Sequence, residues 1–264
     1  MPVYLIMILA IPVLISLIGL VSSRGKITLK EFAVQETAMI LLVAIGYGIA
    51  RWTSTHDVEI WSGKITEKVK KKVSCEHSYP CNPYPCPTKE DPGRMCWNTC
   101  YEHNHDYDWM LYTSNGESVE IDRVDSQGNN EPPRWRKAYP GEPTAQAHNF
   151  TNYIKASPES ILRRRGAAEH FKDMLPKYPN NIYDYYYCDR FVTVGMIVPD
   201  AKEWNELLAN INADLGAKKK MNVVVVVVNT SDQGYQYALE ESWIGGKKND
   251  LIVIIGSTRY PQIE

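Results

Sequence analysis

The chain has 264 residues, enough for one large domain or two ordinary ones. Its 29 basic and 31 acidic residues give a formal net charge of -2. This balance does not indicate a nucleic-acid-binding protein, so we expect no nucleic-acid partner. Apolar residues dominate the first 52 residues, whereas the remainder is polar and rich in Tyr, Trp and Pro. This asymmetry predicts a membrane anchor followed by a soluble region.

Two apolar segments predict a transmembrane helical hairpin, with helices at about 3–21 and 33–52. The first run has 19 uncharged residues, which as a helix span roughly 28 Å, about the thickness of the hydrocarbon core. A cleaved signal peptide is the alternative, although no basic residue precedes the run. The second segment has only 13 purely apolar residues, 38–50, and also fits a buried core helix. Arg51 and Trp52, which are typical of a membrane interface, favour a second span.

Basic residues around this hairpin favour two opposite orientations. Three of them lie between the two helices and favour a cytoplasmic loop: Arg24, Lys26 and Lys30. Lys64, Lys68 and the lysines at 70–72 follow the second helix and favour a cytoplasmic soluble region instead. All six cysteines follow the apolar segments, and disulfides form outside the cytoplasm. We therefore predict that the soluble region is extracytoplasmic.

Residues 53–156 are predicted to form a β-rich region that contains most of the cysteines and prolines. Alternating residues from 58 onward predict a hairpin that turns near Ser62 and Gly63. A second hairpin is predicted around Asn115-Gly116, a strong turn signal. The proline-rich segment 75–100 cannot bury enough apolar surface to order itself, so we expect a covalent or metal crosslink there.

Residues 157–264 are predicted to form an α/β domain, which makes the whole chain α+β. A helix is expected from Ser157 to about Phe171, and a strand in the aromatic segment that contains Cys188. A helix over 199–215 places five apolar residues on one face and stops at Gly216; these five are Trp204, Leu207, Leu208, Ile211 and Leu215. Strands at 223–228 and 251–255 are predicted to be buried, with a helix over 236–243 between them, in a three-layer arrangement.

The cysteines support two kinds of crosslink. The first is disulfide bonding of unknown pairing among Cys75, Cys81, Cys86, Cys96, Cys100 and Cys188. Two bridges would join four of the first five, and the remaining thiol would pair with Cys188, although six cysteines allow 15 pairings. The alternative is zinc or another divalent metal, bound by Cys75, His77, Cys96, Cys100, His103 and His105. No Cys-x2-Cys knuckle supports this alternative. Apart from this possible metal, no cofactor is expected.

The segment "CYEHNHDYDW" could supply metal ligands or a general base from four residues: His103, His105, Asp106 and Asp108. The simpler interpretation is the start of a strand with alternate polar residues exposed. No partner nucleophile is identifiable in the sequence, so no catalytic residue is predicted.

Two stretches resemble known families. Residues 59–160 resemble an uncharacterised family of membrane proteins of tailed bacteriophages, through "EIWSG", "VSCEHSYPC", "CYEHNHDYDW", "RVDSQGNNEPPRW" and "HNFTNYIKASPES". This resemblance implies a phage gene product in the host inner membrane, with a periplasmic soluble region. Residues 199–257 resemble part of a TPM domain, through "NVVVVVVNTS", "YQYALEESWIGGKKND" and "LIVIIGS". Some TPM domains are linked to divalent-metal binding or acid phosphatase activity.

Three functions follow as hypotheses. The first is a non-enzymatic envelope protein with an extracytoplasmic interaction or structural domain, anchored in the lipid bilayer. Its partners would be a protein of the host envelope or further copies of itself. The second is a TPM-like metal-dependent phosphatase or hydrolase, which requires Asp200, Asp232 or Asp250 to converge on a metal. The third, a redox protein, lacks a Cys-x2-Cys motif.

Overall fold

The computed structural model describes residues 2–23, 26, 28–87, 94–157, 166–244 and 247–262. Its helices are α1 Pro2–Ser22, α2 Leu29–Thr55, α3 Pro133–Lys137, α4 Tyr153–Ala156, α5 Ala167–His170, α6 Ala201–Lys219 and α7 Tyr235–Ser242. Its strands are β1 His56–Val73, β2 Ser78–Pro85, β3 Met95–Tyr101, β4 Asp106–Thr113, β5 Ser118–Ile121, β6 Pro143–Thr151, β7 Ile182–Tyr183, β8 Tyr187–Cys188, β9 Phe191–Val194, β10 Asn222–Val228 and β11 Asp250–Gly256. The chain is therefore of mixed α and β structure, as predicted.

The contacts divide the chain into two compact units. The first contains residues 1–57 and 150–163, and the second contains residues 58–149 and 164–264. The second unit thus holds both the cysteine-rich region and the α/β region. The three-part division made from the sequence stays a prediction, because this grouping follows contacts and not independent folding.

In the first unit, α2 is longer than the sequence predicted. It begins at Leu29 because Thr28 and Glu31 form a capping box, in which each side chain accepts the other's backbone N–H. Its 27 residues are long and apolar enough to cross a membrane, by length and composition, and none of its most apolar stretch is buried in the protein. The described side chains of α1 provide a shorter apolar stretch, Pro12–Ser22.

The end of α2 is tied to the segment that follows β6. The backbone N–H of Asn152 donates to the Thr55 carbonyl at 2.7 Å, and its side-chain amide donates to Asp57 at 2.8 Å. The Lys155 ammonium donates to the carbonyl of His56 at 2.6 Å. These bonds satisfy backbone carbonyls where the helix gives way directly to β1.

In the second unit, a four-stranded sheet has the order β5-β4-β1-β6. The hairpin predicted at Asn115-Gly116 is confirmed, since β4 and β5 pair antiparallel around this turn. The hairpin predicted at Ser62 and Gly63 is wrong, because β1 continues through both residues. Ser62 is buried, and Gly63 lies against the β4–β5 turn, where a Cβ atom would be 3.0 Å from Ser114 Oγ.

A three-stranded parallel sheet of order β11-β10-β9 forms the other half of this unit. Alternate valines of β10 face opposite layers: Val224, Val226 and Val228 pack with α7, whereas Val223 and Val227 pack with residues of α6. The predicted three-layer arrangement and the doubly buried central strand are confirmed. The prediction for 251–255 was less accurate, because β11 is an edge strand on which Leu251 and Val253 are exposed.

Helix α6 differs from its prediction in both its end and its buried face. Gly216 does not stop it, and the helix continues to Lys219. A Cβ atom on Gly216 would lie 2.5 Å from the carbonyl oxygen of Ser62, so glycine permits close packing against β1. Trp204, Leu207 and Ile211 are exposed, whereas the buried residues are Leu208, Asn212, Ala213 and Gly216.

The aromatic segment before α6 forms three short strands, β7, β8 and β9, where the sequence predicted strand structure. The helix predicted from Ser157 falls largely on residues 158–165, which lie outside the described residues. The chain after them forms α5 and a 3-10 turn at Lys172–Met174.

Candidate functional site

Strands β2 and β3 form a separate antiparallel ribbon, from the pair Ser78 and Tyr101 to the pair Pro85 and Met95. Two disulfides cross it, Cys81–Cys100 and Cys86–Cys96. The expectation of disulfides in this proline-rich segment is confirmed for these four cysteines. A two-stranded ribbon is marginal by itself in water, so the crosslinks supply order that burial does not.

The ribbon exposes large apolar side chains. Five of them have between 41% and 56% of their surface exposed: Tyr79, Tyr84, Met95, Trp97 and Tyr101. Large exposed aromatic side chains on a rigid element are typical of contact surfaces, because they bind without much loss of conformational entropy. The ribbon is therefore a candidate interaction surface.

At the base of the ribbon, three side chains converge. Cys75 Sγ lies 3.7 Å from His103 Nδ1, and the same nitrogen lies 3.2 Å from Asp106 Oδ1. Cys75 and Asp106 are buried, and the His103 side chain is 23% exposed. Among the described residues, these three form the group of His, Cys, Asp and Glu that could hold a metal ion, with all ligand atoms within 4.8 Å of one another.

Neighbouring groups fix the carboxylate of Asp106. Its Oδ2 accepts from the backbone N–H of Glu76 at 3.1 Å and from Arg123 Nη1 at 3.3 Å. Burial acts to raise the pKa of Asp106, but the Glu76 N–H, the Cys75 thiol and the Arg123 guanidinium together hold it below its ordinary value. Asp106 is therefore an oriented anion whose Oδ1 faces His103.

This arrangement does not match a nucleophile relay. In a Cys-His-Asp relay, one ring nitrogen takes the proton of the nucleophile and the other is held by the carboxylate. Here the thiol and the carboxylate both meet Nδ1 of His103. Convergence of three atoms on one point suits a ligand set instead.

The structure changes the set of metal ligands considered from the sequence. Cys96 and Cys100 are bonded in disulfides and cannot act as thiolate ligands. His105 Nε2 lies 3.1 Å from the Tyr107 hydroxyl, while the His77 ring lies edge-on to His103 with centroids 6.3 Å apart. Asp108 pairs with Arg123. Cys75, His103 and Asp106 are brought together, and the other residues of the segment are not.

The third disulfide, expected between Cys188 and the remaining cysteine of the first five, is wrong. Cys75 and Cys188 are both buried free thiols. Cys75 lies beside His103, whereas Cys188 packs with Ile60 and Ala145 and lies 3.5 Å from the carbonyl oxygen of Pro179. The two sulfurs therefore have different neighbours. Burial raises the pKa of the Cys188 thiol, which favours the protonated, less reactive form of this side chain.

A cleft of about 680 Å³ contains polar residues that the sequence did not single out. Glu142 accepts from Arg134 at 3.0 Å and from the Tyr187 hydroxyl. Arg190, which is 2% exposed, donates to Ser62 Oγ at 2.7 Å, and its Nε has no hydrogen-bond partner among the described residues. Burial lowers the pKa of Arg190. The sequence offers no signal for this cleft, because its lining comes from three separate stretches, 139–145, 183–190 and 201–210.

The acidic residues required by the hydrolase hypothesis do not converge. Asp232 accepts from the Gly234 N–H, and Asp250 accepts from Asn222 at 2.8 Å and from the Tyr178 hydroxyl at 2.9 Å. Asp200 precedes α6. Among the described residues, these three carboxylates do not form a group of metal-ligand atoms.

Comparison of the chain with protein-family models, curated proteins and solved structures gives no match.

Proposed function

We propose that this chain is a membrane-anchored envelope protein whose soluble region lies outside the cytoplasm and serves as a structural and interaction module. The single observation that carries the proposal is the ribbon, on which two disulfides brace five exposed apolar side chains. Disulfides persist in oxidising compartments. The long apolar helix α2 supplies the anchor.

The lysines of β1 were the main argument for a cytoplasmic soluble region, and their contacts weaken it. The Lys68 ammonium lies 4.2 Å from the Trp135 ring centroid and donates to the Ala138 carbonyl at 2.7 Å. The Lys70 ammonium lies 4.2 Å from the Tyr107 ring centroid. Cation–π contacts of this kind stabilise the fold, so these lysines have a structural role that is independent of membrane orientation.

The resemblance to bacteriophage membrane proteins supports a setting for the module. On this proposal, the chain is a phage product in the host inner membrane, with its soluble region in the periplasm. Its partner is a protein of the host envelope or a second copy of the chain. The hydrolase alternative has no supporting geometry in the described carboxylates, and no catalytic residue is proposed.

Location is tested by protease access. With a tag after Glu264, we expect the soluble region to be degraded in spheroplasts and protected in intact cells, since the outer membrane excludes the protease. A cytoplasmic marker should stay intact in both. Protection in spheroplasts, followed by degradation on lysis, would contradict the extracytoplasmic placement.

The interaction surface is tested by photocrosslinking in intact cells. A photoreactive amino acid at Trp97, which is 56% exposed on the ribbon, should give a discrete adduct. Tyr139 is 58% exposed away from the ribbon and is the matched control. Adducts that form equally at both positions, or at neither, would count against the ribbon as the contact surface.

A further inference from the structure

We propose that Cys75, His103 and Asp106 bind one zinc ion, which clamps the base of the disulfide-braced ribbon. The inference is independent of the proposed membrane setting and partner. It rests on the distances, the burial and the chain positions of these three residues.

The distances fit a tetrahedral metal. With Zn–S of about 2.3 Å and Zn–N and Zn–O of about 2.0–2.1 Å, tetrahedral angles place ligand atoms roughly 3.3–3.6 Å apart. The observed separations are 3.7 Å from Cys75 Sγ to His103 Nδ1 and 3.2 Å from His103 Nδ1 to Asp106 Oδ1. These two separations lie close to the values for a zinc coordination shell, and all three ligand atoms lie within 4.8 Å of one another.

The donor types favour zinc over other common metals. A thiolate and an imidazole are borderline-to-soft ligands, which suit zinc and not magnesium or calcium. Coordination requires the Cys75 thiol to lose its proton to solvent, while His103 binds as the neutral imidazole. The His103 side chain is 23% exposed, so a metal ion could reach the site from solvent and take water as a fourth ligand.

The groups around Asp106 act as the outer support of such a site. The Glu76 N–H and Arg123 hold Oδ2, which turns Oδ1 toward His103, where the metal would bind. Arg123 is itself oriented by Asp108. Ligands of bound metals are usually oriented by outer hydrogen bonds of this type.

The position in the chain gives the ion a structural role. The ribbon contains two nested crosslinks, with 10 residues of separation for Cys86–Cys96 and 19 for Cys81–Cys100. Cys75 and His103, separated by 28 residues, flank both. A metal bridge between them would be the third and outermost crosslink of the series.

The test uses the purified full chain in detergent with its disulfides intact. After chelator treatment, we expect one equivalent of Zn²⁺ to bind, and Co²⁺ in its place to give a thiolate-to-cobalt charge-transfer band. Cys75→Ser should abolish this band. His103→Gln and Asp106→Asn should weaken binding at least about tenfold, and Arg123→Gln should weaken it by about 10–100-fold.

Two variants are matched controls. Cys188→Ser removes the other buried free thiol, and His105→Gln removes a histidine two residues from His103. Both should still bind one equivalent with the cobalt band. Disulfide content and the thermal transition of each metal-free variant show whether it is folded.

Three outcomes would overturn the proposal. One is the absence of zinc binding by the folded wild-type chain. The second is binding that Cys75→Ser or His103→Gln leaves unchanged. The third is binding that occurs only after the disulfides are reduced, because the ligands would then include Cys96 or Cys100.

Discussion

Two parts of the soluble region reach order in different ways. The sheet of β9, β10 and β11 is covered on both faces by helices, and Val224 and Val226 are fully buried. Among the described residues, those of the β2–β3 ribbon belong to no buried core cluster, and Trp97 is 56% exposed. Apolar burial therefore stabilises the first part, while crosslinks restrict the second. The comparison shows why a contact surface can be rich in aromatic residues and still be ordered.

The largest expected effect on the free energy of unfolding comes from replacing one tryptophan in each part with alanine. Trp243 is 4% exposed, and its indole N–H donates to the Pro176 carbonyl at 2.9 Å. We expect Trp243→Ala to lower the free energy of unfolding by about 3–5 kcal/mol, because it leaves a cavity. Trp97→Ala should change it by less than about 0.5 kcal/mol. Urea unfolding, monitored by circular dichroism, measures both changes. Equal effects would contradict the view that burial stabilises the parallel sheet but not the ribbon.

The second prediction concerns the crosslinks. Replacing Cys81 and Cys100 with serine should lower the free energy of local opening of the ribbon by about 3 kcal/mol, because the crosslink no longer restricts the open state. Hydrogen exchange should accelerate for amides in 78–101 and stay unchanged in β10. Cys188→Ser is the control, since this thiol forms no disulfide. Faster exchange in both regions would show that the ribbon and the parallel sheet open together.

The third prediction concerns the packing of α6 against β1. Gly216→Ala introduces a Cβ atom 2.5 Å from the carbonyl oxygen of Ser62, a buried residue of β1. Overpacking of about 1–3 kcal/mol should exceed the gain of about 1 kcal/mol in helix propensity, so the variant is destabilised. Gly48→Ala is the control, because no atom of the described residues lies within 4 Å of its new Cβ atom. A higher midpoint of thermal unfolding for Gly216→Ala would contradict the close contact.

The smallest effect is a difference in pH dependence. Burial raises the pKa of Asp250 in the parallel-sheet region, so its contribution to stability is lost as pH rises through the folded-state pKa. The backbone N–H of Asn130 lowers the pKa of Asp125 in the loop after β5. Its contribution is present above the unfolded-state pKa and lost as pH falls through the folded-state pKa.

Asp250→Asn and Asp125→Asn should therefore change the slope of unfolding temperature against pH in opposite directions. Measurement from acidic to neutral pH tests this. Changes of the same sign would show that the surroundings of one carboxylate have been misassigned.

Composition alone indicated β10, because six consecutive valines suit only a strand buried on both faces. Hydrophobic periodicity predicted the wrong buried face for α6, because the residue that fixes the orientation of this helix is polar. Asn212 accepts from the Val223 N–H at 2.6 Å and donates to its carbonyl at 2.9 Å. This pairing turns Asn212 inward and leaves Ile211 exposed. Hydrophobic periodicity cannot anticipate a buried amide that serves the backbone of another element.

The candidate site was predictable only in part. Cys75 and His103 were considered as ligands together with Cys96 and Cys100, but the pairing of the cysteines decides which sulfurs are free. That pairing depends on the register of β2 and β3, which includes an irregularity between Cys81 and Pro83. Asp106 was considered as a metal ligand or general base, and the simpler interpretation was an exposed polar residue at a strand start. It is instead buried and in contact with Arg123. Sequence spacing could not reveal this contact.

The valine strand also has a consequence for biosynthesis. Its neighbours β9 and β11 lie on either side of it in sequence, so β10 stays without one partner until β11 has been made. During that interval an uncharged, strongly β-forming segment can pair with another copy and aggregate. The exposed lysines Lys218, Lys219 and Lys220 lie before it, separated from β10 by Met221 alone. Their mutual repulsion would keep nascent chains apart until the sheet closes.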